Sequence, residues 1–519
     1  MWQVTAGGVH AVQRLAVASV DVAALTELDL EVQSWRPPIE GWIGSPGIPG
    51  VTTFELEARG AGARLRLQLT QPTDAAVLLA AAVRCLRPVP TGAWSPELTF
   101  TPALPADAAS LAPRLRDVLR ADDDRDGHLR RADVLLTGAA PTADVERATT
   151  VVVGPDRWTR DGIDFEVSVD PTIHRPLGRR STGAVVVADA RVDGDTIAIR
   201  GGDLELDVVG SVTAADARRL RSVTALVIDG AVPPRLERQL HACGVVIASA
   251  RASLPAADDH LGWQARSVFE RRHALRQYAP SAALDEWPSV TVVMATHRAE
   301  HLDGAVAALA GLRYPRLEVV IGAHGPAVDA DQVRGLMRDL PHRVTVVPVP
   351  SDRNLGEVLQ ACTDRAEGSL ITKMDDDDVY GPEHVWDLVL ARQYSGAEVV
   401  GKALDWIHVE SESATVFRPV FAAEKYADFV AGGTILVSRA DLMSVGGWRP
   451  VPKSVDRALL DRVLAAGGLV YRTHGLGYVY VRRQSGHTAT VSDAHFLTKV
   501  TERREGLVAH EAFGTAVGA

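Results

Sequence analysis

Cysteine is scarce and scattered in this chain: Cys85, Cys243 and Cys362 lie far apart, and none belongs to a CxxC. An odd, sparse set excludes a disulfide framework and a cysteine zinc site, and it fits a reducing compartment. Long apolar runs are also missing. A spanning helix needs about 18 apolar residues, and the best stretch, Ala75 to Val83, is about half that length. The run from Leu15 to Leu25 is interrupted by Asp21 and flanked by a single base, Arg14, so no cleaved signal is expected. Lysine is rare, and the net charge is −11, which argues against nucleic-acid binding through a basic surface. No GxGxxG follows a strand-like run, so no dinucleotide site is indicated. A cytoplasmic protein is expected, with peripheral attachment at the inner face of a membrane and self-association left open.

At 519 residues, 46% of them hydrophobic, the chain has room for two to four domains with real cores. Residues 1–107 read as a β-rich module. Leu28 to Val32, Thr53 to Glu57 and Arg64 to Leu69 alternate apolar and polar residues, the period of a half-buried antiparallel sheet. Residues 108–277 read as a Rossmann-like α/β domain. Short apolar runs (134–138, 150–154, 184–187, 225–230, 245–249) alternate there with helix-like segments, Ala214 to Leu220 and Pro233 to Ala242, which predicts a parallel sheet. Within this stretch Asp122, Asp124, Asp126 and Asp133 match calcium-loop spacing with Gly127 at the sixth position. An acidic loop between a helix and a strand is the competing account. Residues 276–288 read as a linker.

From 286 to 495 the pattern sharpens into regular βαβ alternation. Strands are expected at Val290 to Met294, Leu317 to Ile321, Val344 to Val349 and just before Asp375, with helices over His301 to Leu312 and Asn354 to Ala366. Such a chain folds as a mostly parallel, doubly wound sheet with its ligand crevice at the strand ends. Residues 496–519 read as a tail. The run Asp375-Asp-Asp-Asp378 follows a short buried-looking strand and so falls at that crevice. Unscreened carboxylates repel, and hard cations such as Mg²⁺ or Mn²⁺ take one or two carboxylates together with substrate phosphates.

Several ordered motifs surround that run: Val292-Val-Met-Ala-Thr-His-Arg298, Arg353-Asn-Leu-Gly356, Ala431-Gly-Gly-Thr434, Val445-Gly-Gly-Trp448, Val455-Asp-Arg-Ala-Leu-Leu-Asp-Arg462 and Val479 to Thr488. Taken in this order, the stretch from about Ser289 to Thr490 resembles the family-2 glycosyltransferases of GT-A fold. The resemblance implies an inverting, metal-dependent transfer from a nucleoside-diphosphate sugar donor to a glycan or lipid-linked acceptor, in surface polysaccharide or glycoconjugate synthesis. It implies Mn²⁺ or Mg²⁺ on Asp375 and Asp377, with Asp376 and Asp378 as the alternative register. His487 is implied as a further ligand, and His474 is its rival.

By the same resemblance the donor would meet Thr296, His297, Arg298, Arg353, Asn354, Asp375 and Asp376, with Arg482 or Arg483 at the diphosphate. The family's base-reading aspartate is replaced by Gly322-Ala-His324-Gly, so His324 is the candidate there. Asp405, Trp406, Gly432, Gly433 and Thr434 would border the acceptor, Trp406 as a stacking ring or as core. Asp456 would be the general base, although the family's flanking acids are replaced by Val455 and Ala458. Two other readings compete. A nucleotidyltransferase acting on sugar phosphates would carry a Gly-rich basic loop after the first strand, which Ala295 to Arg298 lacks. A non-catalytic scaffold built on a decayed transferase domain is the other.

Overall fold

The computed structural model describes residues 2–6, 12, 25–33, 35, 51–60, 62–73, 78–79, 82, 85–86, 134–137, 150–153, 157–160, 163–166, 168–169, 171, 173–179, 185–201, 204–279, 287–465, 469–483 and 492–515. The calcium-loop aspartates Asp122, Asp124, Asp126 and Asp133, and His487, lie outside the described residues.

Strands β1 (Trp2–Ala6), β2 (Leu25–Val32), β3 (Val51–Arg59) and β4 (Gly62–Thr73) form a sheet ordered β1-β2-β4-β3. The alternation read from the sequence is realised: Leu28, Leu30, Leu65 and Leu67 are buried on one face. The sheet departs from a purely antiparallel one at its edge, where β1 runs parallel to β2.

The second region corrects the expectation of one parallel sheet. Strands β5 (Val134–Thr137), β6 (Thr150–Val153), β7 (Arg157–Arg160) and β8 (Ile163–Glu166) make their own sheet, parallel only between β5 and β6. Strands β9 (Val187–Asp193), β10 (Thr196–Gly201), β11 (Leu204–Val209), β12 (Ala225–Asp229) and β13 (Val246–Ala248) form a mixed sheet, ordered β11-β10-β9-β12-β13. Only β9, β12 and β13 are parallel there. Between β9 and β10, Gly194 at φ +60° opens a two-residue Gly194-Asp195 turn, which closes a hairpin. The helices fall where expected, α1 at Ala214–Arg219 and α2 at Pro234–Ala242.

Helix α3 (His260–Tyr278) carries the chain to the C-terminal region and docks on it through buried charge. Arg271 meets Glu424 at 2.9 Å, and Arg272 meets Asp387 at 2.9 Å. Then come β14 (Val290–Thr296), α4 (Leu302–Gly311), β15 (Leu317–His324), α5 (Ala330–Leu336), β16 (Arg343–Val349), α6 (Leu355–Thr363) and β17 (Leu370–Lys373). The order β16-β15-β14-β17 is parallel throughout and begins an eight-stranded, mostly parallel sheet. The sheet continues through β23 (Leu436–Ser438), β19 (Val399–Lys402), β24 (Val470–Thr473) and β22 (Lys425–Tyr426). Strand β23 is antiparallel to β17, with Thr372 opposite Leu436, so its leading residues return to the end of the sheet where β17 finishes.

A smaller sheet, β18 (Val379–Tyr380), β25 (Tyr478–Arg482), β20 (Trp406–Val409), β21 (Ala414–Phe417) and β26 (Glu502–Glu505), lies beside it. The segment read as a tail is therefore partly structural: β26 pairs with β21, and Phe513 is buried against Trp406. Among the described residues no helix is long and apolar enough to cross a membrane.

Candidate active site

Four parallel strands deliver side chains to one edge. Strand β14 ends at Thr296 and is followed by His297 and Arg298, β15 ends at His324, β16 leads to Arg353 and Asn354, and β17 leads to the aspartates. The rings of His297 and His324 meet edge to face with centroids 6.3 Å apart. Antiparallel β23 returns Gly432 and Gly433 to the same place, and helix α7 (Val455–Ala465) sets Asp456 in its first turn.

The four aspartates divide among three sets of partners, Asp376 and Asp377 sharing one. Asp375 Oδ1 accepts from Lys373 Nζ at 2.6 Å, and its backbone N–H donates to the Tyr380 hydroxyl. One nitrogen of Arg298, Nη2, donates to Asp376 Oδ1 at 2.6 Å and to Asp377 Oδ2 at 2.8 Å. Asp378 accepts from the Tyr478 hydroxyl at 2.7 Å and from the Val481 backbone N–H at 2.9 Å. Lys373 also reaches Asp456, with Nζ 3.5 Å from Oδ1. The glycines fit between these groups. A Cβ on Gly432 would sit 2.2 Å from Asp456 Oδ2, and one on Gly433 would sit 2.8 Å from Asp375 Oδ2. Asp375 and Asp456 thus both stand against Lys373 and the Gly432-Gly433 turn.

The electrostatics follow from burial of like charges. Burial raises the pKa of Asp375, and Asp456 adds to the rise while Lys373 opposes it. Asp378 is pushed well above the ordinary carboxylate range by burial and then by Asp377 and Asp375. Burial alone would lower Lys373, but the carboxylates of Asp375, Asp456 and Asp378 outweigh it and raise it. Arg298 is raised in the same way by Asp376 and Asp377 against its burial.

These contacts sort the residues expected at the site. Thr296, His297, Arg298, His324, Asp375 to Asp378, Gly432, Gly433 and Asp456 come together. Several others do not. Arg353 is exposed and pairs with Glu357, while Asn354 caps α6, accepting from the Glu357 N–H in a reciprocal capping box. Thr434 is buried and spends its hydroxyl on the Lys402 N–H and the Ala431 carbonyl. Trp406 is a correction: its ring is 0% exposed, packed on Phe417 and Phe513, with the indole N–H donated to Gln264, so no face remains for a sugar. Asp405 is buried beside it in sequence. His474 lies in the interior 3.7 Å from Asp387, away from the acidic run.

Of the two arginines, Arg482 is turned toward Asp493 at 2.8 Å. It is Arg483 that faces the acidic run, donating to the Asp377 carbonyl at 3.1 Å. Arg482 is the last residue of β25 and Arg483 follows it, and the two side chains take different partners.

Sequence reasoning missed Lys373. A lysine closing an otherwise apolar strand was the available signal, because a buried ammonium needs a carboxylate partner. A cavity of about 670 Å³ lies on the other flank of the run, lined by Gly304, Ala308, Asp376 to Asp378, Arg483 and Phe513, among others. Neither Asp375 nor Asp456 borders it, so the run has two faces.

Among the described residues no cluster of three or more His, Cys, Asp or Glu side chains makes an all-protein metal cage. The residues do fit a cation shared with a ligand: Asp376 Oδ2 is buried with no hydrogen-bond partner, and Asp376 and Asp377 already converge on a single cationic nitrogen. Mg²⁺ and Mn²⁺ ordinarily fill the rest of their shell with phosphate oxygens and water.

No protein-family model matches the chain, and no curated protein matches it in sequence. Among solved structures, it is similar to TarS from S. aureus (residues 1–349, in complex with UDP-GlcNAc) at 16% identity and TM-score 0.31, covering 40% of this chain and 63% of that one. It is similar to the mannosyltransferase PcManGT from Pyrobaculum calidifontis, in complex with GDP-Man and Mn²⁺, at 16% identity and TM-score 0.31, covering 38% and 58%. In both cases less than two thirds of the other protein is spanned.

Proposed function

We propose that the protein is an inverting, metal-dependent glycosyltransferase that moves a sugar from a nucleoside-diphosphate donor to a hydroxyl of a glycan or lipid-linked acceptor. One observation carries the reading: Asp375, of the acidic run, and Asp456 both contact the Lys373 ammonium, across a Gly432-Gly433 turn that leaves room for nothing larger. A diphosphate-binding acidic edge and a separate carboxylate a few ångströms away are what in-line displacement at an anomeric carbon requires.

In that reaction the acceptor oxygen bonds to the anomeric carbon as Asp456 takes its proton. The bond from that carbon to the diphosphate oxygen breaks, and its electron pair leaves with the diphosphate. A bound divalent cation supplies Lewis-acid stabilisation of that leaving charge. Asp376 and Asp377 would hold it, since they converge on one cationic nitrogen and Asp376 Oδ2 is buried without a hydrogen-bond partner. His297 and His324 border the nucleotide, and Arg298 and Arg483 supply positive charge to the diphosphate. Assembly of a surface polysaccharide or glycoconjugate at the cytoplasmic side is the setting we favour, with the N-terminal modules gripping acceptor or partner.

The test is a thermal-shift screen of UDP-, GDP-, CDP- and dTDP-sugars with and without Mn²⁺. Stabilisation that needs sugar nucleotide and metal together, about 2.7 kcal/mol at a hundredfold excess over Kd, identifies the donor class. If none of the four classes stabilises the protein when Mn²⁺ is present, the reading fails.

A further inference from the structure

We propose that Lys373 is a positioning residue of the transfer step, acting through Asp456: its ammonium fixes where the base carboxylate stands relative to the acidic run. The inference rests on the glycosyl-transfer reading of the cleft. Lys373 closes β17 with its side chain 3% exposed, and its backbone N–H donates to the Ile435 carbonyl at 2.9 Å. A lysine so enclosed is tolerable only because carboxylates surround its head. The 2.6 Å bond to Asp375 Oδ1 anchors it, and the 3.5 Å approach to Asp456 Oδ1 is an ionic contact without a hydrogen bond. Lys373 therefore steers that carboxylate without competing for the proton it is to accept.

The rest of the surroundings complete a clamp. Asp456 Oδ1 is enclosed and accepts no hydrogen bond, whereas Oδ2 lies against Gly432, where a Cβ would intrude to 2.2 Å. One oxygen thus faces the ammonium, leaving the other beside a backbone with no side chain, open to an acceptor. The helix that bears Asp456 is itself pinned. Ser454 enters it at φ +59°, an uncommon left-handed conformation for a non-glycine residue, and Arg462 ties it to the Val445 and Gly447 carbonyls at 2.6 Å each. With backbone and helix fixed, the remaining freedom is rotation of the Asp456 side chain, and Lys373 is the charge that limits it.

The test uses the full chain and the Lys373→Met variant, and reads kcat separately from donor affinity. The donor concentration that half-saturates the thermal shift with Mn²⁺ gives the affinity. The expected result is a kcat lower by about a hundredfold, the scale of an ångström's misplacement of a reacting group, with half-saturation changed by less than about threefold. In an Asp456→Asn background the same substitution should cost nothing further, because it acts through a group already removed. The proposal is overturned if kcat is unchanged. It is equally overturned if donor affinity falls as far as kcat, since Lys373 would then serve Asp375 alone, or if the two losses multiply. Should Lys373→Met lose its cooperative melt, Lys373→Gln keeps a donor for Asp375 with a shorter reach and carries the same comparison. Wild-type protein that binds no sugar nucleotide with Mn²⁺ sinks the transferase reading itself, and this inference with it; wild type that binds and transfers beside an equally active Lys373→Met sinks the inference alone.

Discussion

Arg271 and Glu424 form an ion pair 2.9 Å long, with side chains only 5% and 3% exposed, joining α3 to the C-terminal sheet. Glu424 Oε2 also accepts from the hydroxyls of Tyr394 at 3.1 Å and Tyr471 at 2.8 Å. The long helix is therefore part of the fold that carries the site. Arg271→Met strands a buried carboxylate and should cost roughly 3–5 kcal/mol, read from the urea midpoint, with Glu424→Gln in the same chain recovering part of it. A loss under about 1 kcal/mol would show the pair to be dispensable.

Arg298 holds Asp376 and Asp377 together through one nitrogen. Arg298→Met leaves two close carboxylates without a counter-charge, so the melting temperature without ligand should fall. Mn²⁺ alone should then raise it more than in the wild type, because the cation meets no resident competitor. An Mn²⁺ response no greater than the wild type's would place the cation elsewhere.

Asp456→Asn keeps the shape of the side chain and removes its ability to take a proton. Transfer should fall by about a hundredfold or more, while the joint donor and Mn²⁺ stabilisation persists. Loss of donor binding in this variant would move Asp456 out of the base role.

Burial raises Asp405 to about 7, against the opposing pull of Arg472 and the Gly475 backbone. The folded protein then keeps this proton up to about pH 7, whereas the unfolded chain releases it near pH 4. Stability is lost as pH rises through that window and is level above it. Asp405→Asn should melt higher than the wild type at pH 8, and the difference should vanish toward pH 4. A difference that does not vary with pH would mean Asp405 is already ionised in the folded state.

Gly356 gives close passage to the chain's own backbone: a Cβ there would lie 1.8 Å from the Arg449 carbonyl oxygen. Gly356→Ala should cost about 1–3 kcal/mol by overpacking, visible as a lower melting temperature with no specific loss of donor affinity.

Much of the C-terminal fold was legible because its signals are local. The alternation of β14 to β17 with helices, and the Asp375 to Asp378 run after an apolar strand, each need only a few residues to be read. The mixed sheet of β9 to β13 was not, because an apolar run announces a strand without its direction. In the site, the residue types in the acidic run and at Asp456 carried the reading. Which of Arg482 and Arg483 faces it depended on where β25 ends, fixed by its pairing with β18 and β20. The core position of Trp406 depended on Phe417 and on Phe513, which lies more than a hundred residues away in the sequence. The place of Lys373 at the end of an apolar strand was readable, but its approach to Asp456 was not, since that residue lies far along the chain.

The burial of Phe513 against Trp406 makes carboxy-terminal trimming hazardous. A chain cut back to residue 505 would bare an indole that now sees no water, and with it a greasy scar beside the smaller sheet. Affinity handles belong beyond residue 515, and a shortened protein that precipitates would be displaying that scar.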